Sequence, residues 1–340
     1  MKRKQRNCAT IVGAALGGGV LWLLCGLVGA VPAWAQSLAY VTNNLGNSVS
    51  VIDTETQRVV DTIPVGLTPF GVAVSPDGEY VYVTNADARS VSVIETAGHR
   101  VVDTIGVGNF PGGVAFTPDG CRAYVANRRS NSVSVIDTKS RTVMTTVTVG
   151  NFPIHVAITP DGLRAYITNL DDRSVSVIDT AGDTVEETIE VDILPVAIAI
   201  TPDGAFVYVT QRGPQSVAVI DSVTHEVVAR VGVGRGPVAV SITPDGQFAY
   251  ISNRDSDNLS VIKTSTYEVV DTIEAGTYSS GSAVTPDGLN LYVANQASDI
   301  VSVIDIETNR VVGTIPVGVL PAQIAISPPN GGQSGMVLTE

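Results

Sequence analysis

Thr159-Pro160-Asp161-Gly162, followed by Tyr166-Ile167-Thr168-Asn169, reads as a tight turn feeding a short β-strand. Proline presets φ in such a turn and glycine accepts a positive φ. The stretch recurs at a fixed interval. Tyr40, Tyr82, Tyr124, Tyr166, Tyr208, Tyr250 and Tyr292 are each 42 residues apart, and Pro76, Pro118, Pro160, Pro202, Pro244, Pro286 and Pro328 keep the same period. Seven copies without an insertion or deletion indicate one stacked or closed array, not the two domains that a length of 340 residues would suggest.

Working outward from the turn, each unit reads as four strands. In the second unit Val72-Ala73-Val74 precedes the turn at Ser75-Pro76-Asp77-Gly78, and Glu79 to Thr84 alternates up to Asn85. Ser90-Val91-Ser92-Val93-Ile94 then alternates at period 2, and Arg100 to Ile105 follows a second turn at Thr96-Ala97-Gly98. Four short antiparallel strands with no helix make one propeller blade. The expected fold is all-β: a seven-bladed β-propeller over residues 36–329 with four antiparallel strands per blade. The ends support closure. Ser37 to Tyr40 begins a second strand that lacks a first, and Pro321 to Ser327 is a first strand that lacks a second. Pairing the two would close the ring and leave only short outer edges.

Residues 1–35 read as a signal peptide. Lys2, Arg3, Lys4 and Arg6 open it, no charge follows from Asn7 to Ala35, and Ala33-Trp34-Ala35 forms an A-x-A cleavage site. Its apolar stretch is also long enough to serve as an uncleaved anchor. Export to the periplasm, cell surface or medium is the expectation under either reading. Residues 330–340 are expected to form a flexible tail. Beyond the leader, 16 Lys and Arg stand against 33 Asp and Glu, a net charge of −17. Such a charge keeps an exported protein soluble and opposes broad binding to nucleic acid or anionic lipid. Cys8 and Cys25 lie in the leader and Cys121 is the single cysteine beyond it, so no intrachain disulfide is expected there.

Tyr-Val-Thr-Asn at 40–43 and 82–85, its variants in the other five units, and the Ser/Thr-Pro-Asp-Gly turns resemble the YVTN β-propeller family, which includes surface-layer repeats and YncE-like secreted proteins. The resemblance covers Leu38 to Ser327. It implies a seven-bladed, exported or surface-bound binding module and no shared catalytic residues. Gln211 departs from the motif asparagine, Ser279 from the loop proline, and Pro329-Asn330 from the last Asp-Gly. WD40 and kelch propellers fit less well, because both tryptophans, Trp22 and Trp34, fall in the leader.

In a propeller, the loops entering the first strand share a face with those joining the second and third strands, and ligands sit where that face meets the channel. Two columns of the repeat are therefore informative. The first runs Gly71, Gly113, His155, Ala197, Ala239, Gly281, Gln323, and its small members suit crowded backbones. His155 and Gln323 stand out. His155 is either a ligand, acid or base at the mouth, or a lone histidine satisfied by a neighbouring carbonyl. The second column follows the motif: Asn44, Ala86, Arg128, Leu170, Arg212, Arg254, Gln296. With Arg235 nearby, its arginines form a basic arc suited to carboxylate or phosphate, unless Asp171, Asp255 or Asp257 in the same loops neutralise them. The motif asparagines and the turn aspartates read as structural.

The expected function is a binding or interaction module with its ligand site at the channel mouth. Its ligand-binding candidates are Arg128, Arg212, Arg235, Arg254, His155 and Gln323. The partner would be a small anion or a protein, and the protein itself a monomer. An alternative is a propeller enzyme of lactonase or lyase type using His155 with Arg128, Arg212 or Arg254. A second alternative, suggested by YncE-like relatives, is single-stranded DNA binding, for which Phe70, Phe110, Phe152 and Tyr278 would supply stacking surfaces. Neither Cys-x-x-Cys-His nor His-Glu-x-x-His nor a P-loop is present, so the sequence indicates no cofactor or metal.

Overall fold

The computed structural model describes residues 37–329. The leader (1–35) and the tail (330–340) lie outside the described residues, and so does Gln36. Twenty-eight strands, β1 to β28 in chain order, form seven four-stranded antiparallel sheets. The second blade shows the pattern, with β4 (Pro69–Val74) innermost, then β5 (Tyr80–Asn85), β6 (Ser90–Glu95) and β7 (Arg100–Gly106). The one departure from an all-strand chain among the described residues is a 3-10 turn at Arg254–Ser256.

The ring closes as the incomplete ends require. β28 (Pro321–Ile326) pairs with β1 (Leu38–Asn43), setting Tyr40 opposite Ala325 and Val41 opposite Ile324. Ser327 N–H donates to Leu38 O at 2.8 Å, and Leu38 N–H donates to Ser327 Oγ at 2.9 Å. The seven innermost strands touch one another in order around the channel, the last touching the first.

The repeated residues now have physical roles. Each motif tyrosine is buried between its own blade and the next. Tyr166, for example, packs in one cluster with Val175 and Val177 of its blade and with Val207, Val209 and Ala218 of the following one. Four of the tyrosine hydroxyls, those of Tyr124, Tyr166, Tyr250 and Tyr292, bond the outer turn of the next blade, as Tyr124 does to Asp183 (2.6 Å) and Tyr292 to Thr54 O (3.1 Å). The motif threonine binds blades at the channel side: Thr84 Oγ1 receives Gly71 N–H at 2.8 Å and donates to Gly112 O at 2.6 Å.

The motif asparagines are structural, but they do not bond their own turn backbone. Asn127 Nδ2 donates instead to Ser132 Oγ and Ser134 Oγ, at 3.3 and 2.9 Å, holding β9 (Arg122–Asn127) to β10 (Ser132–Asp137). A glycine lies flat against each amide: a Cβ on Gly108 would sit 2.5 Å from Asn127 Cγ. This contact explains the exception at Gln211. The fifth blade is where the glycine of this pair is also replaced, by Asp192, so both halves of one contact depart together. In the Pro-Asp-Gly turns, Asp161 Oδ1 accepts from Thr159 Oγ1 and from Leu163 N–H at 2.9 Å. Those bonds hold its carboxyl below the usual carboxylate range.

Candidate functional site

One backbone contact, repeated in every blade, places the residue after the motif over the channel. Its N–H donates to the carbonyl of the residue just before the innermost strand: Arg128 to Phe110 O, Arg212 to Leu194 O, Arg254 to Gly236 O. Phe110 and Leu194 take positive φ to present that carbonyl, at 56° and 58°. Of the second column, Arg128, Leu170, Arg212, Arg254 and Gln296 line the mouth.

The first column sits differently from the sequence expectation. Its residues are not ahead of the innermost strand but third within it, because that strand begins at the proline. There a bulge interrupts pairing. In the fourth blade, Pro153 faces Asn169 but the next partners are Val156 and Ile167. Three steps on one strand match two on the other, which breaks the alternation of side chains. Ile154 and His155 are adjacent in sequence yet both line the mouth, as do Ala322 and Gln323 at the corresponding bulge of β28. The glycines of the column are closely approached by neighbouring backbone. A Cβ on Gly71 would lie 2.4 Å from Gly112 O, and one on Gly113 would lie 3.0 Å from His155 Cα.

These elements enclose a pocket of about 240 Å³ at the mouth, lined by Arg128, His155, Arg212, Arg254 and Gln323 together with Phe70 and several aliphatic side chains. Of the candidates named from sequence, Arg235 alone stays outside. It lies between Gly234 and Gly236 in the entering loop, its backbone held by Ser256 Oγ (3.0 Å), and its side chain is exposed beyond the rim. Phe70 contributes more than a loop aromatic would. It belongs to β4, and the Arg128 guanidinium lies 3.8 Å over its ring.

The arginines are not equivalent. Arg212 and Arg254 share one carboxylate, Asp255, at 3.0 and 3.3 Å. Burial opposes ionisation of Asp255, but the Arg212 hydrogen bond and charge, with help from Arg254, hold it below its usual range. Asp257 is engaged by Tyr278 N–H, and Asp172 by Asn151. Among the described residues, Arg128 pairs with no carboxylate. Its Nε and Nη2 atoms are buried without a hydrogen-bond partner, and burial pushes the guanidinium down to about 10. The missing side chain of Gly112 makes room for it, since a Cβ there would come within 2.8 Å of Arg128 Nε. His155 Nε2 is likewise buried and unpartnered, and the ring packs edge-on to Phe70 with centroids 6.0 Å apart. Burial, reinforced by the Arg128 charge, pushes His155 down to about 3, so it is neutral at physiological pH. With Asp255 counted against the three arginines, the mouth carries a surplus of two positive charges on an acidic protein. Among the described residues, no three His, Cys, Asp or Glu side chains group as metal ligands.

Comparison with known proteins agrees with this architecture. A YncE-like β-propeller family model matches residues 33–120, and a model of the seven-bladed lactonase propeller matches residues 227–317. No curated protein matches the chain. Among solved structures, hydrazine synthase of Kuenenia stuttgartiensis superposes with a TM-score of 0.75 at 27% identity, covering 78% of this chain and 91% of that one. A functionally unknown protein from Desulfotomaculum acetoxidans gives 0.77 at 19% identity, covering 86% and 99%. The dihydro-heme d1 dehydrogenase NirN, in complex with DHE, gives 0.66 at 14%, covering 89% and 77%. The last two likenesses show the fold alone. The chain is a seven-bladed β-propeller, similar to YncE-like propellers over residues 33–120 and to the lactonase propeller over residues 227–317.

Proposed function

We propose that this propeller is a binding module that holds a small anion at its channel mouth, in an exported protein. One observation carries the reading: Arg128 is driven into the pocket wall with two donors unmatched by any acceptor among the described residues. Leaving a buried charged donor unpaired costs roughly 1–3 kcal/mol or more, a cost that a bound anion would remove. Exposed surface arginines carry no such penalty. The basic and apolar start of the chain supports export.

The lactonase-like stretch gives a second reading some footing, because Arg254, Ser280 and Gln296 all line the pocket. His155 weakens it. A base held near 3 is mostly unprotonated but too weak to drive proton abstraction at neutral pH, where a general base works best with a pKa close to ambient.

The test compares thermal unfolding of the chain beyond residue 35 with that of its Arg128→Met variant. Phosphate, sugar acids, lactones, heparin and single-stranded DNA serve as probes. An anion at a hundred times its dissociation constant stabilises by about 2.7 kcal/mol. At ~2 °C per kcal/mol that is a shift of about 5 °C. The shift should vanish in Arg128→Met, while the ligand-free variant melts no lower than wild type, having lost an unpaired buried charge. Equal shifts in both proteins would refute the site. Turnover of a lactone, abolished by His155→Ala, would replace the binding reading with the enzymatic one.

A further inference from the structure

The pocket wall is uneven around the ring, and the unevenness says what the anion is attached to. Arg128 and Arg212 come from the third and fifth blades. The wall between them is formed by Ile154, Leu170, Leu194 and Val196, with Val238 continuing it beyond Arg212. None of these aliphatic side chains offers a donor or acceptor, and the one polar side chain on the same arc is His155 of the fourth blade, whose neutral ring presents a single unpartnered nitrogen, Nε2. Leu194 is 39% exposed, so this part of the apolar wall is not covered by the protein itself. Neutral polar groups, Ser280, Gln296 and Gln323, come from the seventh and first blades on the other side.

A multiply charged or polyhydroxylated ligand would find partners at Arg128 and one more at His155 Nε2, but would strand its remaining polar groups against the aliphatic wall, at a cost for each. Arg212 and Arg254 add little to a second anionic group, because Asp255 already occupies both. The volume of about 240 Å³ is below that of pockets that take drug-sized ligands.

We propose that the mouth recognises a compact monoanion with an apolar body, such as a small aliphatic or aromatic carboxylate. Its carboxylate lies against Arg128 and its body lies on the Leu170–Leu194 wall. This inference rests on the anion-binding reading above and narrows it to a ligand class. One buried charge beside an apolar surface is the ordinary way a pocket fixes the orientation of a small amphiphile.

Calorimetric titration at constant ionic strength separates the two levels. The probes are phosphate, acetate, cyclohexanecarboxylate, benzoate and the neutral benzamide, each against wild type, Leu170→Asn and Arg128→Met. Cyclohexanecarboxylate or benzoate should bind at least tenfold more tightly than acetate or phosphate, and benzoate at least tenfold more tightly than benzamide. Leu170→Asn should remove the advantage of the bulky carboxylates and leave acetate unchanged. Acetate and phosphate binding as tightly as benzoate would overturn the apolar-body inference and leave the anion site standing. Benzamide equal to benzoate, or equal binding of every anion by Arg128→Met, would overturn both. Circular dichroism of the two variants, expected to match wild type, separates loss of binding from loss of fold.

Discussion

A chain ended at Gly318 should fail to unfold in a single cooperative transition, because it lacks the strand that closes the ring. β28 supplies the inner strand of the first blade, buries Ala322 and Ile324, and touches the innermost strands on both sides. It also carries Gln323, whose N–H and carbonyl both bond Thr42 Oγ1, at 3.0 and 3.3 Å. Burial of one isoleucine contributes about 1.5–3 kcal/mol, and each ladder hydrogen bond about 0.5–1.5 kcal/mol. Their sum is comparable to the whole stability of a typical domain, about 5–15 kcal/mol. β1 would become an unprotected edge and two inter-blade faces would lose their seal. A synthetic peptide of residues 319–329 added in trans should restore the near-ultraviolet circular dichroism and the cooperative urea transition. A truncated chain that melts like the full one would show that the seven blades do not depend on closure.

Tyr166→Ala should cost about 3–5 kcal/mol, the loss expected for emptying a large aromatic site in a packed interior. Its ring is fully buried between two blades and meets His225 edge-on at 6.1 Å. Tyr166→Phe should cost far less, since the hydroxyl makes only a 3.3 Å bond to Ser222 O. Tyr124→Phe should cost about 1–3 kcal/mol, because Asp183 accepts from both the Tyr124 hydroxyl and Arg122 and would lose one of these donors. The same burial gives the fold an alkaline limit. It pushes Tyr40, Tyr82, Tyr166, Tyr250 and Tyr292 up to about 12. A phenol whose folded pKa is raised stabilises fully below its unfolded value, about 10. That contribution is lost as pH rises from there through 12. Urea midpoints should therefore fall steeply above pH 10, together with the growth of phenolate absorbance. Phenolate formation near pH 10 in the folded protein would contradict the inter-blade placement of the tyrosines.

The fold was legible because the residues that specify it repeat at an invariant 42-residue interval. A tyrosine, a turn proline and a strand-end asparagine occupy equivalent positions in blade after blade, and the first and last units of the repeat each hold the strand that the other lacks. The second column of the site was legible for the same reason, since a backbone bond of the repeat aims it at the channel. Three things were not. The bulge at the start of each inner strand has no signature that alternation can reveal, so Ile154 and Val196 went unseen as lining residues while His155 was found. The capture of Asp255 by two arginines depends on the 3-10 turn at Arg254–Ser256, which sequence periodicity does not indicate. Arg235 looked equivalent to its neighbours because sequence proximity to the mouth does not tell which way a glycine-flanked side chain turns.

The most direct measurement is the anomalous scattering of selenate diffused into crystals of the protein, because it locates an anion without presupposing the natural ligand. The expected result is a peak at the channel mouth within hydrogen-bonding distance of the Arg128 guanidinium, absent from Arg128→Met crystals. Peaks confined to exposed arginines such as Arg129 and Arg235, with the mouth empty of selenate, would contradict an anion site built on Arg128.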